Sequence, residues 1–229
     1  MIIRLRNVKK EYSGRQVLNI DCLDFEEGKI YAVLGPNGSG KTTMLRIIAG
    51  IEKTDTGEII VDNPGGICNR NLAYMPQVPY IFDIKVIDNV ELGIKEMKNH
   101  RKIAVEALTQ LGMEDFLYSP ARSLSGGEQQ RVALARTIVL NRSLYLLDEP
   151  ASAADISAVR QIEEYIKSAK EKLGATIVFT THSPSQALRV ADEVLFLQEG
   201  LLIEKGSPQE VLHRPEKELT REFLSNWRI

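Results

Sequence analysis

One octapeptide constrains this chain more than any other feature. Gly35-Pro36-Asn37-Gly38-Ser39-Gly40-Lys41-Thr42 fits the pattern G-x-x-x-x-G-K-[ST]. It stands between an apolar run, Ile30-Tyr31-Ala32-Val33-Leu34, and a helical stretch from about Lys41 to Ala49. An unbroken apolar run of that length suits a strand covered on both faces. Glycines let the next turn curl with its N–H groups inward, and the helix that follows adds the positive end of its dipole. The product is a nest for phosphate oxygens. Lys41 is placed to reach β- and γ-phosphates and the Thr42 hydroxyl to ligate Mg²⁺, with Thr43 beside them in the same nucleotide-binding turn.

The rest of the chain must fold around that cradle. Met1 to Val8 alternates apolar and charged residues, Cys22 to Phe25 forms a second short strand signal, and Glu26 to Lys29 reads as a turn. Apolar runs return at Leu144–Leu147 and Thr176–Phe179, each followed by polar residues and a helix-period segment. That alternation implies parallel strands with crossover helices. Val194–Leu197 and Leu201–Ile203, separated by Gly200, read as a late hairpin or strand pair. From about Val78 to Leu140 strand signals almost vanish, and Ala104, Ala107, Leu108 and Leu111 share one helical face. The expected fold is α/β: a P-loop core with a mostly parallel sheet, an N-terminal antiparallel β-subdomain, and an inserted helical subdomain. The whole chain is then one domain, with residues 1–77 and 143–229 as core and 78–142 as helical lobe.

Composition narrows the function classes. The 229 residues carry 29 basic and 31 acidic side chains, a formal net charge of −2, so no strong basic field collects nucleic acid. Hydrophobic content of 43% with 26% charged residues is ordinary for a globular chain and argues against extensive disorder. Cys22 and Cys68 are too few for a disulfide framework and read as reduced thiols in a cytoplasmic chain. No apolar window approaches membrane-spanning length, and the first residues lack the apolar stretch of a secretory signal. The guanine-reading string N-K-x-D is absent. Asp62-Asn63-Pro64-Gly65 formally resembles a GTPase D-x-x-G but reads as ordinary turn chemistry.

Two further segments carry chemistry. Leu124-Ser125-Gly126-Gly127-Glu128-Gln129-Gln130-Arg131 sets a hydroxyl and unhindered N–H groups at the start of a helical pattern. Physically this is either a second anion surface or a serine-capped turn. Leu144 to Leu147 leads directly into Asp148-Glu149, so a buried strand would deliver two carboxylates to the carboxyl edge of a parallel sheet. Asp148 suits Mg²⁺ binding there, and Glu149 suits orientation or deprotonation of a water.

With L-S-G-G-[EQ]-x-x-R matched at Leu124–Arg131 behind the P-loop, the chain resembles the ATP-binding subunit of an ATP-binding-cassette (ABC) transporter, importer type. The resemblance covers nearly the whole length, with the motifs in the family's order. It implies that Tyr12 stacks on adenine, although a strand-end tyrosine is the plainer reading of that residue. It implies that Gln77 reaches Mg²⁺ and the attacking water, and that His182 is the switch histidine near the γ-phosphate. Ser125, Gly126, Gly127 and Glu128 would contact the ATP of an opposite protomer. Ser152-Ala153-Ala154-Asp155 stands in place of the family's S-A-L-D, with Ala154 replacing leucine and weakening packing between protomers there.

The implied partners are ATP, a second copy of the chain, transmembrane permease subunits and an extracytoplasmic solute-binding protein, with no nucleic acid. The expected location is the cytoplasmic face of the membrane. Residues from Val78 to Glu91, including Tyr80, Ile81 and Phe82, would line the groove between core and helical lobe where permease helices dock, with exposed apolar residues there. The wording around Pro79–Asp83 and Val86–Val90 leans toward an oxyanion cargo such as tungstate, molybdate or phosphate. An exporter ATPase, or a soluble ABC ATPase acting as a switch, are the alternatives.

Overall fold

A computed structural model describes residues 2–62 and 71–227. The turn at Asn63–Gly65 and the Cys68 thiol lie outside the described residues.

The chain opens with a long hairpin. Strand β1 (Ile2–Tyr12) pairs antiparallel with β2 (Arg15–Phe25) across a two-residue turn, Ser13-Gly14, whose φ angles are 52° and 77°. Positive φ at both turn positions matches the right-handed twist of the flanking strands. Both strands outrun the sequence signal. Polar Lys9-Lys10-Glu11 stays in β1 because its backbone continues the ladder to β2, with a bulge between Lys10 and Glu11.

Strand β3 (Ile30–Leu34) is buried at every position and leads into α1 (Lys41–Ile48). Strand β4 (Thr56–Asp62) was not signalled by the sequence; it pairs with the outer edge of β1, where its partner strand supplies order that its own pattern lacks. After β5 (Leu72–Met75) the chain is helical: α2 (Val86–Glu91), α3 (His100–Gln110) and α4 (Gly126–Ile138), with two short 3₁₀ turns between α3 and α4. Ala104, Ala107, Leu108 and Leu111 are all buried against this group, as their spacing predicts.

Strand β6 (Leu144–Leu147), α5 (Ile156–Leu173), β7 (Thr176–Thr181), α6 (Pro184–Val190) and β8 (Glu193–Gln198) complete the parallel core. Strand β9 (Leu201–Gly206) folds back antiparallel on β8, a π-helical turn follows at Gln209–His213, and α7 (Glu218–Ser225) closes the described chain. The sequence reading did not anticipate α7.

Among the described residues the strands form one sheet in the order β4-β1-β2-β9-β8-β3-β7-β6-β5. The antiparallel end joins the parallel core where β2 meets β9, through Asn19 N–H donating to Gly200 O at 2.7 Å. β3, β6 and β7 are buried along their lengths. Their apolar side chains feed two core clusters, one on each sheet face. No described helix is long and apolar enough to cross a membrane.

Candidate active site

Strand order places four loops side by side. The carboxyl ends of β3, β7, β6 and β5 are neighbours in the sheet and deliver the P-loop, His182, Asp148-Glu149 and Gln77 respectively. Crevices at such an edge are where open α/β sheets bind ligands.

The P-loop encloses a cavity of about 370 Å³ whose lining also includes Gln77 and Glu149. Gly40 takes φ +99°, and a Cβ there would stand 2.6 Å from Val17 O, so the loop admits no side chain at that point. Lys41 is only 7% exposed and donates to Gly35 O at 2.8 Å and Pro36 O at 3.1 Å. Burial pulls the Lys41 pKa below the usual lysine value, while Glu149 and Asp148 pull it up. The Ser39 hydroxyl is buried in the same loop without a partner.

Asp148 is 1% exposed, and its Oδ1 accepts from Thr180 Oγ1 at 2.7 Å and Thr42 Oγ1 at 3.1 Å. Its Oδ2 is buried with no hydrogen-bond partner. An orphaned carboxylate oxygen beside a P-loop hydroxyl is a good fit for a hard cation such as Mg²⁺. Groups of three or more potential His, Cys, Asp or Glu ligands are absent among the described residues. Mg²⁺ commonly takes one or two carboxylates and completes its shell with phosphate and water, so the sparse donor set agrees with it.

Glu149 has φ +49°, an uncommon conformation for a residue with a side chain. Its backbone is fastened at both ends. The N–H donates to Thr180 Oγ1 at 2.8 Å, and the carbonyl accepts from Gln130 Nε2 at 2.6 Å. Its carboxylate accepts from His182 Nδ1–H at 3.0 Å. The proposed base and the histidine after β7 are therefore in direct contact.

Ser125 caps α4 in a reciprocal box. Its N–H donates to Glu128 Oε2 at 2.7 Å and its Oγ accepts from Glu128 N–H at 3.4 Å. Those Ser125 contacts hold the Glu128 carboxyl below its usual range. A Cβ on Gly126 would meet nothing within 4 Å, whereas one on Gly127 would lie 2.5 Å from Ala153 O. None of residues 125–128 lines the P-loop cavity, so the start of α4 is not part of that cavity within one chain.

Tyr12 is 42% exposed at the end of β1; its hydroxyl donates to Glu52 and the Lys10 ammonium stands 5.4 Å over its ring. It too lies outside the P-loop cavity. Asp155 caps α5, accepting from Ala158 N–H at 2.9 Å, and Ala154 is half-buried beside it. Of the apolar residues assigned to an exposed groove, Tyr80 and Phe82 are exposed and stack edge to face at 5.0 Å. Ile81 corrects the expectation. It is buried, turned into the core between those two neighbours.

A sequence model of the family described as ABC transporter matches residues 18–152, from β2 through the acidic pair. The chain belongs to that family. It is an ABC ATPase. It is 34% identical, over all of its length and 68% of the relative's, to the spermidine/putrescine import ATP-binding protein PotA of Mesoplasma florum. It is also 34% identical to the sulfate/thiosulfate import ATP-binding protein CysA of Bacillus cereus, covering 99% of this chain and 67% of that one. The chain thus spans about two thirds of these relatives.

Solved ABC cassettes superpose closely. A dimeric bacterial ABC transporter cassette matches with a TM-score of 0.79 at 31% identity, covering 90% of this chain and 98% of that one. CbiO1 of Clostridium perfringens, part of the transporter complex CbiONQ, gives 0.79 at 30% identity, covering 96% and 93%. A dimeric cassette bound to ADP and Pi in a post-hydrolysis state gives 0.80 at 29% identity over 90% and 98%.

In this ABC ATPase, sequence reasoning missed Thr180 and Gln130. Thr180 was legible only as the end of an apolar strand. Gln130 sits inside the matched L-S-G-G-E-Q-Q-R string, but nothing in the string says that it turns inward to Glu149. Phe223 and Trp227 were also missed; they wall a cleft beside His182 and Glu149, brought there by α7.

Proposed function

We propose that two copies of this chain close head to tail on MgATP and that hydrolysis reopens them, driving solute import through membrane permeases. The observation that carries this reading is the separation of Ser125-Gly126-Gly127 from the P-loop cavity. A triphosphate needs donors on both sides, and one chain offers a cradle with only one wall. The second wall is then the capped start of α4 on the other copy, with open space at Gly126 for a phosphate oxygen.

In this reading Gly35 to Thr43 cradle the phosphates, Tyr12 stacks on adenine, and Ser125 to Glu128 face the opposite copy's ATP. Lys41 exchanges its two loop carbonyls for β- and γ-phosphate oxygens. Thr42, Asp148 and Gln77 would hold Mg²⁺, which would supply charge neutralisation for the triphosphate. Glu149 accepts a proton from water as the water oxygen bonds to Pγ and the bond from Pγ to the β-phosphate oxygen breaks. His182, a neighbour of Glu149, is the contact to the γ-phosphate.

The domain reading follows from the same scheme, with residues 1–77 and 143–229 as the nucleotide-binding core and 78–142 as the helical lobe. Exposed Tyr80 and Phe82 then offer an apolar surface for a permease helix. That would hold the chain on the cytoplasmic face of a membrane, with an extracytoplasmic solute-binding protein feeding the complex. Import is favoured over export because the relatives are named as import ATP-binding proteins. An oxyanion cargo sits within that range: CysA is named for sulfate and thiosulfate, PotA for polyamines. The cargo touches the permease, so both kinds of relative can share this cassette.

The test is Glu149→Gln in MgATP, followed by light scattering and by phosphate release. Dimers that accumulate while hydrolysis stops support the scheme. Monomers throughout, with hydrolysis unchanged, would remove both the base and the shared site.

A further inference from the structure

The C-terminal helix reaches the hydrolytic residues. Helix α7 is anchored before it starts, where Glu204 on β9 accepts from Glu216 N–H at 2.8 Å and Lys217 N–H at 3.3 Å. Along its length Thr220 and Leu224 are buried, and Phe223 packs on the fully buried Phe196 of β8 with ring centroids 5.0 Å apart. One turn further, Trp227 stands 6.3 Å from the Phe223 ring and 6.3 Å from the His182 ring. Those separations are within the range of interacting ring pairs. An aromatic ladder therefore runs from the sheet core through α7 to the imidazole. Trp227 and His182 share a cleft of about 300 Å³ with Gln77 and Glu149.

The imidazole needs such a support. Its Nδ1–H donates to Glu149, and a neutral imidazole donates from one nitrogen only. To offer Nε2–H to a phosphate oxygen, the ring must gain a proton or release Glu149. Its side chain is 51% exposed, so little other protein packing holds the ring plane while those partners change.

We propose that Trp227 is a positioning residue for His182, a wall that fixes the imidazole plane as it passes between Glu149 and the γ-phosphate. Helix α7 is thereby part of the hydrolytic apparatus, and its docking on β8 and β9 sets the rate of hydrolysis. This rests on the reading of His182 given above.

Trp227 is the only tryptophan in the chain, so emission excited at wavelengths that tyrosine does not absorb reports it alone. Three measurements on the full chain test the idea. In steady-state kinetics Trp227→Ala lowers kcat about tenfold with KM for MgATP within about twofold, and Trp227→Phe stays within about threefold of wild type. Wild-type emission differs between the non-hydrolysable analogue AMP-PNP and ADP, and His182→Ala removes that difference. Equilibrium ATP binding by Trp227→Ala equals wild type. Unchanged kcat in Trp227→Ala overturns the proposal, as does identical wild-type emission with either nucleotide once binding is saturated. If Trp227→Ala melts early and Trp227→Phe loses the same activity, the helix acts through folding alone and the proposal also falls. Failure of the underlying reading looks different: hydrolysis would then survive Glu149→Gln or His182→Ala.

Discussion

Thr180 gives one hydroxyl to both carboxylate residues, donating to Asp148 and accepting from the backbone of Glu149. Valine has the same shape but no polar atom, so Thr180→Val strands a buried N–H and one buried carboxylate contact. Each such orphan costs about 1–3 kcal/mol. Thermal unfolding should show a lowered Tm, and kcat should fall further than stability alone explains because Glu149 loses the anchor of its left-handed backbone. A Tm within error of wild type would contradict the bond. Gln130 holds the next peptide, through the Glu149 carbonyl, and its Oε1 also accepts from Ala153 N–H at 3.0 Å. These two residues show where sequence reading stops. Lys41 was legible from the glycine-rich loop pattern that leads into α1, and Asp148 and Glu149 from paired charge directly after an apolar strand. A threonine on a buried strand and a glutamine on a helix look the same whether they pack or position.

Helix α4 allows its two leading glycines to be separated. Gly126 faces open space, while Gly127 lies against the Ala153 carbonyl. Gly126→Ala should therefore fold with a Tm near wild type, yet lose ATP-driven dimerisation if the proposed closure holds, because the added methyl fills the space that closure gives to a phosphate oxygen. Gly127→Ala should lower the Tm itself, since the backbone it strikes must move. Calorimetry paired with light scattering in MgATP separates the two; equal losses in both variants would deny the distinction. Among elements, the buried strands β3, β6 and β7 were read from unbroken apolar runs. The far end of β1, the first half of β2 and all of β4 were not. Those segments are strands through their ladder partners, and a pattern carried by a neighbour is invisible in the segment itself. Helix α7 escaped for a similar reason: its burial depends on β8 and β9.

At the scale of the whole molecule, nucleotide should act as a structural component. A ligand at 100 times its Kd, bound only by the folded chain, adds about 2.7 kcal/mol of stability. Wild type should show that rise in a thermal scan with MgATP, and Lys41→Ala should lose most of it. An equal rise in both would exclude the phosphate contact. The sign of the Lys41 shift bears on the nucleotide-free chain. Its folded pKa is depressed, so keeping the ammonium charged opposes folding below that pKa, and the penalty fades as pH climbs through it toward the ordinary lysine value. Phosphate relieves the same penalty at neutral pH by supplying the opposite charge. Family and fold were legible at this scale because the motifs and their order span most of the sequence. The pairing of subunits is not drawn in one chain except as an unfinished wall. A last consequence follows from the Lys41 contacts. Its ammonium donates to two neutral carbonyl dipoles, which a guest carrying full negative charge can outcompete. Sugars and bare nucleosides meet a doorway already latched, so this loop sorts by charge before it sorts by shape.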